Sequence, residues 1–215
     1  MGTTKLQLYK RACVHMEQSP ISALTDNVEV RRRLDDHYDD ALLWLMEQGF
    51  WRTGMRTVEI TVNEAVSPAF GFEYAHPMPT DFVKRLVVSS SEFLDPPLDE
   101  QSAGNAYLME GGYLWANVTP IYMRYLSNDS SYGLDLTLWT EGMANACSCE
   151  LAARAAPVVT GSKETGKELH EEATMLASRA ATFDAMQQPS QRHREGRWTS
   201  DRFSSRFGNG NYRRA

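Results

Sequence analysis

Residues 161–168, "GSKETGKE", decide between two folds for this chain. They match all but the last position of the phosphate-binding loop, which reads G-x-x-x-x-G-K followed by Ser or Thr. Gly161, Gly166 and Lys167 fit, but Glu168 stands where a hydroxyl group should help to hold Mg²⁺. If the match is genuine, the stretch is a phosphate-binding loop in a fold with a parallel β-sheet. If the match is accidental, the stretch connects two helices.

The sequence around this stretch favours the connection between helices. A phosphate-binding loop follows a buried strand, and the segment "AARAAPVVT" before Gly161 contains a short apolar run, residues 157–159. No repeated alternation of strand and helix patterns appears, so a parallel sheet is not predicted. Ser162 or Thr160 is a suitable N-cap for a following helix. We therefore predict an αα-hairpin whose second helix spans residues 162–187.

Both helices of this hairpin show an apolar face at helical spacing. The first is predicted over residues 138–156 and is ended by Pro157, which does not continue a helix. Its face consists of Trp139, Met143, Ala146 and Glu150. The second helix carries the stripe Leu169, Ala173, Leu176, Ala180 and Phe183. The small residues of the first helix predict a close approach, with Cys147 and Cys149 buried as small side chains.

Two further helices are predicted near the N-terminus, over residues 4–17 and 27–48. Thr4 with Gln7 has the form of a capping box, in which each residue's side chain accepts a hydrogen bond from the other's backbone. Asp26 shows the same spacing from Glu29. Apolar residues recur at helical spacing after both boxes.

The run "RRRLDDHYDD", residues 31–40, has a structural and a metal-binding interpretation. Arg and Asp four residues apart, in the pairs Arg31–Asp35 and Arg32–Asp36, are typical of a solvated helix face. Asp36, His37 and Asp40 are metal-binding residue types, but their spacing does not define a ligand geometry. We therefore predict ion pairs and no metal site in this run.

Residues 56–126 show a different pattern, with short runs rich in Val, Ile and Tyr between Pro, Gly and Asn. "RTVEITV", "FGFEY", "VKRLVVS", "NAYLMEGGYLWAN" and "PIYMRYL" are typical of strands in an antiparallel sheet. Gly111-Gly112 indicates a hairpin turn. The predicted class is α+β: a mainly helical bundle with an inserted antiparallel β-sheet and an extended C-terminal tail. The predicted core spans residues 1–188 and the tail 189–215.

The composition indicates one globular domain with an appendage. The chain has 215 residues, of which 42% are hydrophobic and 23% charged, enough for a sizeable core. No run of about 18 apolar residues predicts a membrane span, and the first residues lack the apolar stretch of a signal peptide. We therefore expect a cytoplasmic protein in which the three cysteines are reduced.

The tail differs in charge from the rest of the chain. From Pro189 onward it has seven Arg and no Lys against Glu195 and Asp201, which gives +5; the net charge of −6 leaves −11 on the remainder. Its composition predicts a segment that is disordered when free. Arginines and aromatics alternate along it, and such residues anchor interfaces. The candidate binding residues are Arg192, Arg194, Arg197, Trp198, Arg202, Phe203, Arg206, Phe207 and Tyr212.

No pattern in the sequence predicts catalysis. "HEEAT" at residues 170–174 begins like a zinc-protease helix, but Thr174 replaces the second His. We predict no catalytic residue, cofactor or metal ligand. Two alternatives remain open: a nucleotide-binding protein that uses residues 161–168, and a nucleic-acid-binding regulator that uses the Arg-rich tail and its stacking aromatics.

The succession of elements resembles a family of phage proteins. Four stretches carry the likeness: "LQLYKRACVHMEQSPISALTDN" at residues 6–27, "DDALLWLMEQGFW" at 39–51, "YAHPMPTDFVKRLVV" at 74–88 and "IYMRYLSNDSSYGLDLTLWTEGMANACSCELAARAA" at 121–156. The third has Pro79, Asp81 and Phe82 before a strand. Together they resemble the head-to-tail adaptors of tailed bacteriophages, the tail tubular protein A group. The resemblance covers nearly all of residues 3–190.

The resemblance implies a structural virion protein rather than an enzyme. Such adaptors form a homo-oligomeric ring, commonly of twelve subunits, between the portal protein and the distal nozzle or tube protein. The ring extends the DNA channel without sequence-specific binding and has no cofactor or membrane contact. The implied location is the phage neck, after synthesis in the host cytoplasm. The C-terminal segment of the family grips the portal, so the nine tail residues named above are the implied portal-binding residues.

Overall fold

A computed structural model describes residues 2–68, 71–95, 97–98 and 107–187. The chain divides into two units, residues 1–185 and 186–215. The first unit contains helices and antiparallel sheets, so the predicted α+β class is confirmed. The nine candidate tail residues, Arg192 to Tyr212, lie outside the described residues.

Among the described residues, five helices flank the sheet region in the sequence. α1 spans Lys5–His15, α2 Glu29–Asp36 and α3 Tyr38–Gln48; α4 spans Glu141–Val159 and α5 Lys163–Met186. The capping box at Thr4 is confirmed, since Thr4 Oγ1 accepts from the Gln7 backbone and Gln7 Oε1 from the Thr4 backbone. No described helix combines the length and apolar character needed to cross a bilayer.

The predicted helix over residues 27–48 is two helices. His37 has φ −108° and ψ 2°, which ends α2, and its carbonyl accepts the first hydrogen bond of α3. Leu34, Ala41 and Leu45 are fully buried on both sides of this break, so the apolar period continues through it. Periodicity alone therefore could not reveal the break.

The capping box predicted at Asp26 is wrong. The Asp26 carboxylate accepts hydrogen bonds from the backbone of Ser22 and Ala23, at 2.7 and 2.9 Å, so it is committed to the preceding turn. Val28 is the N-cap of α2 and makes no side-chain capping bond.

Of the two ion pairs predicted on α2, Arg31–Asp35 is confirmed and Arg32–Asp36 is wrong. Arg31 pairs with Asp35, whose carboxylate also accepts from Tyr9 of α1 and lies 3.1 Å from Lys5 Nζ. Arg32 pairs with Glu29, at 3.6 Å, rather than with the predicted Asp36. The Asp35 cluster thus connects α2 to α1 by charge-assisted bonds.

The described part of the strand region forms two antiparallel sheets rather than the one predicted. Its strands are β1 Met55–Ile60, β2 Tyr74–Pro77, β3 Phe82–Ser89, β4 Tyr107–Glu110, β5 Tyr113–Ala116 and β6 Ile121–Ser127. The first sheet has the order β1-β6-β3 and the second β2-β5-β4. The predicted turn between β4 and β5 is confirmed, with φ of +63° and +80° at Gly111 and Gly112.

The core has two clusters of buried side chains. The first lies among the helices and includes Trp51 and Trp139 from the connecting segments and Leu126 from β6. The second belongs to the two sheets. His76, fully buried, links the sheets, since its ring nitrogens lie 3.1 Å from the Ile60 carbonyl and 3.3 Å from the Val118 carbonyl.

Asp81 joins the three strands of the first sheet at one end. Its carboxylate accepts from Arg56 of β1 at 2.9 Å and from Tyr125 of β6 at 2.9 and 3.0 Å, and also from the Ser127 hydroxyl. Phe82 begins β3 directly after it, as the Pro-x-Asp-aromatic pattern suggested. Burial alone would raise the pKa of the Asp81 carboxyl, but the hydrogen bonds from Ser127, Tyr125 and Arg56 hold the pKa below its ordinary value.

Asp81→Asn is expected to lower the free energy of unfolding at neutral pH by roughly 1.5–3 kcal/mol, since several hydrogen bonds to a charged group are weakened. Because the folded pKa is depressed, the carboxylate's contribution is present above the unfolded pKa and is lost as pH falls through the folded pKa. Urea denaturation at neutral pH and below about pH 4 should therefore show a large difference between variant and parent that shrinks in acid. Glu73→Gln, at an exposed carboxylate, is the control; a difference for Asp81→Asn that is independent of pH would contradict this role.

Candidate functional site on the helical hairpin

The stretch 161–168 connects α4 to α5, and the predicted αα-hairpin is confirmed. α4 ends at Val159 and α5 begins at Lys163, so no strand precedes the stretch within this described part of the chain. Gly161 has φ +74°, a left-handed conformation that commonly ends helices. Ser162 Oγ accepts from the Thr165 backbone at 3.2 Å, which makes Ser162 the N-cap of α5, as predicted.

Gly166 serves the packing of the two helices. It is buried in α5, and a Cβ at this position would lie 3.0 Å from the Ala153 carbonyl oxygen and 3.1 Å from Pro157 Cγ of α4. Lys167 is exposed, and its Nζ lies 3.7 Å from a Glu164 carboxylate oxygen. Of the three residues that match the phosphate-loop pattern, Gly166 therefore lies in the contact between two helices and Lys167 on a solvated helix face, rather than in a loop that surrounds an anion.

Pro157 lies inside α4, so the prediction that it ends the helix is wrong. Proline has no N–H to donate to the carbonyl four residues before it, which is that of Ala153. This carbonyl and the Pro157 ring both face Gly166 of α5. The irregular turn of α4 is thus covered by the one residue type without a side chain, and α4 continues to Val159.

An ionic cleft of about 470 Å³ lies on this hairpin. Its lining comprises Glu150, Ala153, Arg154, Pro157, Lys163, Gly166, Lys167, His170 and Glu171. The Glu150 carboxylate is 2% exposed and accepts from Arg154 Nε and faces His170 Nδ1, each at 2.7 Å. Arg154 also lies 3.7 Å from Asp40 of α3. The burial of Glu150 is offset by these partners, as a buried carboxylate requires.

The ionic cleft has both charged and apolar lining residues. Arg154, Lys163 and Lys167 bring positive charge to its rim, and Ala153 with Pro157 forms an apolar floor. None of the described residues that line it carries a hydroxyl or thiol nucleophile. The arrangement can hold an anionic side chain by charge-assisted hydrogen bonds.

Both helices of the hairpin carry exposed apolar side chains. Met175 and Phe183 of α5 are 56% and 59% exposed, and Val158 of α4 is 55% exposed. The prediction that Phe183 belongs to the buried stripe of α5 is therefore wrong, whereas Leu169, Ala173 and Ala180 are buried as predicted. The spacing of Phe183 from Ala180 does not distinguish the edge of a stripe from its centre. We refer to Met175, Phe183 and Val158 as the apolar hairpin surface.

The structure also bears on the candidate metal ligands in residues 31–40 and on the cysteines of α4. Asp36, His37 and Asp40 do not form a three-ligand cluster among the described residues. Cys147 and Cys149 are buried in α4, as predicted. Sequence reasoning missed that Cys149, His15 and Glu172 converge. It also missed the Glu150–His170 pair, although an ionisable residue on the apolar face of α4 was a signal that a partner would be needed.

Gly166→Ala is expected to lower the free energy of unfolding by roughly 1–3 kcal/mol, because the added methyl group meets a backbone carbonyl that cannot move freely. This steric cost outweighs the gain of about 0.5–1 kcal/mol that alanine usually brings to a helix. Lys167→Ala, one residue further, should change stability by less than about 0.5 kcal/mol, since the side chain is exposed. Chemical denaturation measures both variants; an unchanged or raised stability for Gly166→Ala would mean that the helices do not approach this closely.

No family model matches the chain, and no curated protein is detectably similar to it in sequence. The features that bear on function are therefore its order of elements, its charge distribution and its exposed surfaces.

Proposed function

We propose that the protein is a structural component of a tailed-phage virion. It forms a ring-shaped adaptor between the portal and the tail, in the neck of the particle, and extends the DNA channel through which the genome is ejected. It acts by assembly and not by catalysis. The proposed partners are further copies of the chain, up to a ring of about twelve as the resemblance implies, the portal protein and the distal nozzle or tube protein.

The observation that carries this proposal is the order of elements along the chain. Three helices, α1 to α3, precede the two antiparallel sheets, and two helices, α4 and α5, follow them. An Arg- and aromatic-rich segment closes the sequence. The resemblance to head-to-tail adaptors implies two helices, an inserted sheet, two further helices and an extended tail. The chain follows this helix–sheet–helix order, except that the second predicted helix is divided into α2 and α3 and the strands form two sheets. In the proposed adaptor the helices form a bundle that builds the ring, and the sheet region forms a platform.

The exposed apolar residues support an assembly role. The residues of the apolar hairpin surface lie on the same two helices as the ionic cleft, and Val14 of α1 is a further apolar residue, 68% exposed. Large exposed apolar side chains gain free energy when another protein covers them. In the proposed ring, a neighbouring subunit packs on the helices, while Phe93 of the sheet region, 81% exposed, is available to the distal tail protein.

The charge distribution supports a channel that DNA passes without binding. The sequence before Pro189 carries −11, and an acidic wall repels phosphate groups rather than retaining them. The +5 of the segment from Pro189 onward is separate from this wall in sequence. We assign this segment to portal docking, with its arginines paired to acidic portal residues and its aromatics in pockets between portal subunits.

A chain that ends at Gln188 should fold as the parent does and fail to join the portal. Trp198→Ala combined with Phe207→Ala should weaken joining more than the loss of any two tail arginines, for example Arg202→Ala combined with Arg206→Ala, because desolvated aromatics contribute more than charges at a rim. Co-sedimentation with the cognate portal measures all three variants, and circular dichroism checks their folding. Docking by the truncated chain would refute this role of the tail.

The nucleic-acid-binding alternative rests on the same tail and is tested with the same proteins. A regulator of that kind would bind short DNA with an affinity that falls steeply with salt, and the chain ending at Gln188 would lose this binding. If the protein is an adaptor, the full chain and the chain ending at Gln188 should both bind DNA weakly. Binding to the portal should be tight and should depend on the tail. DNA binding that depends on the tail, without portal binding, would replace the adaptor proposal.

A further inference from the structure

Three metal-ligand side chains from three helices converge beside the hairpin. They are His15 at the end of α1, Cys149 in the middle of α4 and Glu172 in α5. One ligand atom from each, a ring nitrogen, the thiol sulfur and a carboxylate oxygen, lies within 4.8 Å of the other two. We propose that His15, Cys149 and Glu172 form a zinc-binding site, which we call the α1–α4–α5 site. The proposal does not depend on the adaptor function.

The separation of the three atoms is close to that of a zinc site. Tetrahedral zinc, with bonds of about 2.0–2.3 Å, holds its ligand atoms roughly 3.3–3.8 Å apart. The separations within the trio therefore need to shorten by about 1.5 Å at most. Cys149 is fixed in the core, but Glu172 is exposed and His15 is partly exposed, so rotation of these two side chains supplies the movement.

The donor atoms are available for a metal. Neither the His15 imidazole nor the Glu172 carboxylate has a hydrogen bond or ion pair to another described residue. The Cys149 thiol makes one weak contact, 3.3 Å from Sγ to the Leu169 carbonyl oxygen. When the S–Zn bond forms, the thiol proton passes to solvent, and the charges of thiolate, carboxylate and Zn²⁺ sum to zero. A neutral site suits a position that is half in the core.

The donor set also selects the metal. A thiolate with an imidazole favours zinc over the hard cations Mg²⁺ and Ca²⁺, which take oxygen ligands. The exposed side of Glu172 leaves a fourth position for water. A metal held there would connect α1 to both helices of the hairpin. Among the described residues, the ion pair of Arg11 with Glu141, 2.7 Å apart, joins α1 to α4 alone.

The test uses the full chain, reduced, metal-free and without an affinity tag. Titration with Co²⁺ should saturate at one ion per chain and give thiolate-to-metal absorption with the visible bands of a tetrahedral site, and Zn²⁺ should displace the Co²⁺. Excess Mg²⁺ should leave the spectrum unchanged. Zn²⁺ should also raise Tm, because a ligand that binds the folded state stabilises it.

Matched variants locate the site. Cys149→Ala should abolish the thiolate absorption, whereas Cys147→Ala, equally buried two residues away, should retain it. Glu172→Gln should weaken Co²⁺ binding at least about tenfold, given that loss of even an outer partner of a metal ligand costs 10–100-fold. Glu168→Gln, exposed one turn earlier on α5, should bind as the parent does. Absence of saturable binding, or binding that persists in both Cys149→Ala and Glu172→Gln, would overturn the proposal and leave Cys149 as a core residue.

Discussion

The close approach of α5 to α4 is the constraint on which the rest of the helical region depends. α4 is buried on nearly all sides, and most of its buried residues are Ala, Cys or Ser. Along the seam, a Cβ on Gly142 would lie 3.0 Å from Ala180, the Cys149 thiol contacts the Leu169 carbonyl, and Gly166 covers the irregular turn at Pro157. Small side chains bring the two backbones together, and such contacts tolerate little added volume.

The same seam explains where the chemically notable side chains lie. Because α4 is central, a polar side chain on it must find a partner on a neighbouring helix or remain unsatisfied. Glu150 finds His170 on α5, while Arg154 from its own helix completes the pairing and reaches toward α3. Cys149, one position away, points to the side where α1 and α5 meet. The ionic cleft and the proposed metal site are therefore two consequences of one buried helix.

The second organising feature is the Asp81 cluster, which acts on the sheet region. The carboxylate connects β1, β3 and β6 at the point where the chain enters β3, so the strand order of this sheet is supported by side chains as well as by the backbone ladder. Burial and the hydrogen bond to Asp81 together raise the pKa of Tyr125 to about 12, so the phenol stays a donor throughout the working pH range. His76 then links this sheet to the second one.

Local patterns predicted the elements, and tertiary contacts decided the details. The Thr4 cap, the Ser162 cap and the glycine turn between β4 and β5 depend on neighbouring residues, so the sequence was sufficient for them. The division into two sheets depends on which strands pair, and the sequence pattern of a single strand does not specify its pairing partner. The convergence of His15 with Glu172 could not be predicted either, because it requires knowing that the C-terminal end of α1 lies near α5. The binding residues predicted in the tail remain predictions.

The adaptor proposal is tested most directly by electron microscopy of the purified chain mixed with the cognate portal. The account predicts added density on one face of the portal, coaxial with it and arranged as a ring around an open channel wide enough for double-stranded DNA. The first unit, residues 1–185, should account for the ring. Portals that remain unchanged at saturating concentrations of a folded chain, or density that closes the channel, would contradict the proposed function.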